Sequence, residues 1–194
     1  DIELQRDYEY YGLKYESIAS DGCMLTAAMY GAETLSGRDW SAPEVSGLLR
    51  EAGLYAGDSD LSPELLGRAM ELLTGGEYRF ELQKLEDGRP GAELLRAMAD
   101  SPEAYIAHLR IRREGGGAAF HSEMLSAVEW ETYYVPGGAP GIRGVRTANP
   151  WRGAGYAGRT WRTPGEIARW DVYKAVPTWR YYFARSVEWE IAAR

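Results

Sequence analysis

One cysteine stands in the whole 194-residue chain, at position 23, and only two histidines accompany it, His108 and His121. A single thiol excludes an intramolecular disulfide framework and a thiolate-rich zinc site. Two histidines in separate segments, without HExxH or CxxC spacing, give a metal-dependent hydrolase little support, and no cofactor is expected. No apolar run approaches the ~18 to 20 residues that cross a bilayer as a helix, so no integral membrane segment is expected. Positive charge is also in deficit, 22 Lys and Arg against 29 Asp and Glu for a net −7. A field of that sign does not favour phosphates, so nucleic acid is not an expected partner. The chain starts at Asp1 without a methionine. That start leads to the expectation that a signal peptide or tether was removed and that the protein is extracytoplasmic, in the secreted or cell-envelope space.

What is present describes one ordinary domain: 45% hydrophobic and 26% charged residues,. Residues 24 to 35 carry Leu25, Ala28, Met29, Ala32 and Leu35 at the spacing of one helix face, and Gly37 stops them,. Pro43 to Ala52 reads as a second helix ended by Gly53,. A third runs from Pro63 to Thr74, with Ser62 as N-cap, a stripe of Leu65, Leu66, Ala69, Met70 and Leu73, and Gly75-Gly76 as terminator,. Ala92 to Ala99 is a short fourth.

The period then changes. Ala104 to Arg112 alternates and is rich in strand formers, Ser122 to Trp130 is similar, and further strands are expected at Gly144 to Ala148, Trp170 to Ala175 and Trp179 to Ala184,. A helical first half and an antiparallel second half make an α+β chain: a single domain, 1–194, with a helical lobe to residue 100 and a β lobe from 101,. Trp151, Trp161, Trp170, Trp179 and Trp189 recur in the second half. Short strands and turns account for that interval better than a sugar-stacking repeat, because the intervening sequences do not resemble one another.

Cys23 lies where the first helix begins, in "SDGCMLTAAMYG". At a helix N-terminus a thiol faces unpaired N–H groups and the positive end of the macrodipole, which would lower its pKa and make it a nucleophile. The competing account is a small buried helix residue. A nucleophile needs an imidazole base and a third group to orient it. His108 sits inside the strand "YIAHLRI", where a packed histidine is the plain expectation. His121 opens "HSEMLSAVEW" at a loop-to-strand junction and is the better candidate,. Asn149, before a proline in "VRTANPWRG", carries an amide that can fix the imidazole tautomer,.

In order, "LQRDY", "SIASDGCMLTAAMYG", "SPELLGRAMELL", "HSEML" and "ANPWRG" resemble the papain-like cysteine peptidases related to the double-glycine leader peptidases that process bacteriocins, over residues 3 to 175. The resemblance implies a papain-like fold and a bacterial, secreted thiol hydrolase. It implies Cys23 as nucleophile, His121 as general base and then acid, and Asn149 as the orienting group. Gln5 would donate to the oxyanion together with the Cys23 N–H. Met24-Leu25 depart from the small residue and proline common in relatives, and Asn149 stands where relatives often have aspartate.

Two functions follow as expectations. One is a cysteine hydrolase that cleaves a peptide or related amide through an acyl-enzyme. The other is an inactive papain-like module that holds a peptide or glycan on the aromatic-rich second half.

Overall fold

The protein is described by a computed structural model covering residues 22–56, 60–112, 120–126, 130–133, 136, 141–150 and 158–179. It combines helices with an antiparallel sheet, an α+β architecture. The helices are α1 (Cys23–Ser36), α2 (Ala42–Glu51), α3 (Leu66–Leu73) and α4 (Ala92–Asp100). The strands are β1 (Tyr78–Leu82), β2 (Tyr105–Arg112), β3 (Phe120–Ser126), β4 (Trp130–Tyr133), β5 (Gly141–Asn149), β6 (Gly158–Arg162) and β7 (Ile167–Pro177).

The seven strands lie in the order β1-β7-β2-β3-β5-β4, with β6 also paired to β5. β1 comes from within the helical half and pairs along its length with β7. β2 is held on both sides, by β3 and by β7. Among the described residues, the ladder between β3 and β5 has the one rung Met124–Ala148.

Strand alternation divides the apolar residues between two cores. Ile106, Met124 and Tyr173 pack with Leu25, Ala28, Met29 and Ala32 of α1 and with Leu66, Ala69, Met70 and Leu73 of α3. Ala107, Leu109, Ile111, Leu125, Trp170 and Val172 gather in the second core with Met98 of α4. α1 comes close to the sheet at Gly31, where an added Cβ would lie 2.9 Å from Ile106 Cδ1, 3.1 Å from Met70 Cε and 3.3 Å from Met124 Cε. It ends as its sequence demands: Gly37 adopts the left-handed conformation (φ 66°) and its N–H bonds to the Glu33 carbonyl,.

Several expectations need correction. The helix expected from Pro63 is two pieces, a 3₁₀ turn at Pro63–Leu65 and then α3. Ser62 does not cap it through its side chain, because its hydroxyl is bonded to the nearby Glu64 carboxylate. Of the strand expected over 122 to 130, the structure describes β3 to Ser126 and the start of β4 at Trp130, and residues 127–129 lie outside the described residues. β1 and β6 are not expected from the sequence: β1 does alternate, with Tyr78, Phe80 and Leu82 against Arg79 and Glu81, but it is only five residues long and lies among the helices, and the glycine and arginine content of β6 leaves no clear apolar alternation,. The strand expected at 179 to 184 lies outside the described residues beyond Trp179.

Candidate functional site

α1 begins at Cys23 with Gly22 as N-cap, a residue with no side chain to satisfy the helix's open N–H groups,. Asp60, 36 residues on from Met24, takes that role: its carboxylate accepts from Met24 N at 2.9 Å and Leu25 N at 3.1 Å, and from Leu61 N at 2.8 Å. Thr26 N reaches the Gly22 carbonyl. Of the helix's first three N–H groups, only that of Cys23 is left out of the Asp60 cap.

The same carboxylate accepts a hydrogen bond from the Cys23 thiol, Sγ to Oδ2 at 3.3 Å. On its other side the sulfur accepts the N–H of Ser122 at 3.4 Å. Burial pushes the thiol up to about 12, the negative charge of Asp60 adds to the rise, and the Ser122 amide opposes it,. This corrects the expectation of a thiol acidified by the helix terminus. The N–H groups that would favour a thiolate are occupied by a carboxylate, which favours the neutral thiol. Asp60 is itself raised, by burial that its hydrogen bonds from Met24, Cys23, Leu61 and Leu25 do not fully offset.

His121 and Asn149 come together across the β3–β5 junction. His121 Nε2 lies 2.7 Å from Asn149 Oδ1, with the two residues 6% and 1% exposed. Asn149 Nδ2 points to Thr160 Oγ1 of β6 at 3.4 Å, which turns the amide oxygen toward the ring, so Nε2 is the donor,. The fold thus brings the amide and the imidazole into direct contact. The thiol's hydrogen-bond partners among the described residues are Asp60 and Ser122; His121 is not one of them. The connection is through the backbone, since the N–H on the sulfur belongs to the residue next to His121.

Behind the imidazole lies a polar cluster. Glu123 is fully buried, with Oε1 3.9 Å from His121 Nε2. Its carboxylate accepts from the Thr147 hydroxyl and from two guanidinium nitrogens of Arg162, one of them Nε at 2.9 Å. Arg162 also lies 3.6 Å from Glu166. Burial alone would lower the Arg162 pKa, but its bonds to Glu123 and the charges of Glu123 and Glu166 leave it raised.

His108 is elsewhere, fully buried in β2 with Nδ1 3.3 Å from Asp171 Oδ2 of β7. Gln5 lies outside the described residues. Among the described residues, no three His, Cys, Asp or Glu side chains gather as a metal site, and no helix is long and apolar enough to cross a membrane. Asp60 carries no local signal that would tie it to Cys23. Glu123 does carry one, because a residue two places along a strand shares the face of His121.

No protein-family model matches the chain, and no curated protein matches its sequence.

Proposed function

We propose that the protein is a papain-like thiol hydrolase that cleaves a peptide or related amide through a Cys23 acyl-enzyme. The observation that carries this reading is the buried His121–Asn149 bond, with the Ser122 amide beside it on the Cys23 sulfur. Asn149 holds Nε2–H, which leaves Nδ1 as the nitrogen able to take the thiol proton. The resting thiol is neutral and bonded to Asp60. Substrate bound over Cys23 would displace water, the thiol proton would pass to His121, and sulfur would attack the carbonyl carbon. The oxyanion would form beside the Cys23 N–H, with Gln5 as the second donor. His121 returns the proton to the departing amine, then activates the water that releases the acid.

The Asp60 bond supports the second reading, an inert binding module, because a carboxylate on the thiol opposes thiolate formation. Alkylation of the sole cysteine by iodoacetamide across pH 5 to 10, beside turnover of a peptide-amide library, separates the two. Hydrolysis lost in Cys23→Ser is expected of the hydrolase, beside an alkylation rate that still climbs above pH 9 because the resting thiol is neutral,. The same alkylation profile with no turnover would establish the binding module.

A further inference from the structure

The chain has Asn149 where a charged partner would stabilise an imidazolium, and a neutral amide cannot supply that charge. A carboxylate is nevertheless within reach. Glu123 follows His121 by two residues on β3, so both side chains project from the same face,. Its Oε1 is 3.9 Å from the Nε2 that Asn149 engages, too far for a hydrogen bond and close enough for strong through-space attraction in a dry site,.

We infer that Glu123 is a positioning residue for His121, its buried carboxylate supplying the negative charge that Asn149 lacks, with Arg162 as the counterion that makes its burial tolerable. The inference rests on the hydrolase reading for its purpose, though not for its measurement. The two charges facing the imidazole do not cancel. Glu123 is fully buried, whereas the Arg162 side chain is 16% exposed and shares its charge with Glu166. Water screens the guanidinium more than the fully buried carboxylate, so the anion outweighs it at the ring,. Thr147 adds a hydroxyl to the carboxylate and fixes its rotamer. From the helix side, the titratable groups close to this strand are the Cys23 thiol and Asp60, which meet β3 through Ser122 N. Asn149 sets the angle of the ring, and Glu123 sets how readily it holds a proton.

The test is an NMR titration of the imidazoles in the full chain. With two histidines in the sequence, His121→Gln assigns the spectrum. Cys23→Ala as background removes the thiol as a source of charge. Glu123→Gln, which keeps the shape and one acceptor oxygen while removing the charge, is expected to lower the His121 midpoint by about one pH unit. Arg162→Gln is expected to raise it by a smaller amount. An unchanged or raised midpoint in Glu123→Gln overturns the inference. If that variant does not fold, the Cys23→Ala parent decides. A His121 midpoint above about 6.5, the ordinary histidine value, supports the charge, since burial alone would lower it, and a midpoint at or below that value overturns it. No substrate is used, so an absence of amide turnover in the wild type counts against the hydrolase reading alone. An unmoved midpoint counts against Glu123 alone.

Discussion

The two histidines stand on neighbouring strands of one sheet, and each has a polar partner on the adjacent strand. His108 sits within β2, flanked by β3 and β7, and its carboxylate partner Asp171 is itself held by Arg169 at 3.0 Å. His121 sits at the start of β3, bonded to a neutral amide, and the N–H of the next residue touches the only thiol. A search for a histidine with an aspartate would choose the first. What separates them is position: a strand interior surrounds a ring with packed neighbours, whereas a strand end opens onto a helix terminus. In the proposed reading, His108 serves the fold and His121 the chemistry.

Exchanging the two roles is the most direct way to break this comparison. His121→Ala should lower amide turnover by about a thousandfold or more while the chain still folds. His108→Ala should leave the turnover of the folded fraction within a few-fold and cost about 2 to 4 kcal/mol of stability, because it opens a cavity and strips Asp171 of a partner. Chemical denaturation beside steady-state kinetics checks both. A loss of turnover in folded His108→Ala would move the catalytic base to β2.

The two buried aspartates sharpen the contrast through pH. Burial would raise Asp171, but His108 and Arg169 more than reverse it and leave it lowered. A lowered carboxylate contributes stability above its unfolded value of about 3.9, and that contribution disappears as pH falls through the folded value. Among the described residues Asp60 has only neutral donors, and it is raised, so its contribution is full below about 3.9 and disappears as pH rises through the folded value,. Asp171→Asn should flatten the acid-side fall in stability, and Asp60→Asn the decline on the other side. Denaturation midpoints from pH 2.5 to 7 read both slopes, and slopes of the same sign would refute the assignment.

A smaller effect is expected at the sulfur. Asp60→Asn removes a negative charge while keeping an oxygen for the helix N–H groups, so the thiol pKa should fall and alkylation at pH 8 should quicken by about tenfold. The smallest is at Thr160. Thr160→Val deprives the Asn149 amide of the group that orients it, and turnover should drop only a few-fold, with substrate affinity unchanged,.

The helices are legible in the sequence because each has an apolar stripe and most end at a glycine. β2 and β7 are legible because they are central and alternate. His121 and Asn149 can be paired from the sequence because a strand-opening histidine and an amide before a proline each carry a local signal. Asp60 cannot, since capping a helix from 36 residues away depends on how the chain returns, and nothing in "GDSDLSP" records that return. The thiol's electrostatics depart from expectation for the same reason: a helix terminus reads as positive until its cap is known. Glu123 is readable from its spacing, yet a glutamate in an alternating strand ordinarily faces water, and its burial depends on Arg162, 39 residues later,.

Met124 occupies two places at once. Among the described residues, it forms the single rung that joins the strand of His121 to the strand of Asn149, and its Cε lies 3.3 Å from where a side chain at position 31 of α1 would begin. The bare Gly31 thus works as a shim of zero thickness beneath that rung. Thickening it by one methyl group would press on the joint between the two strands and lift the helix that carries the sulfur. Tolerance to mutation should therefore be lowest at a residue that bears no chemistry at all, and a collection of damaging changes would point to the middle of α1 as readily as to its thiol-bearing end.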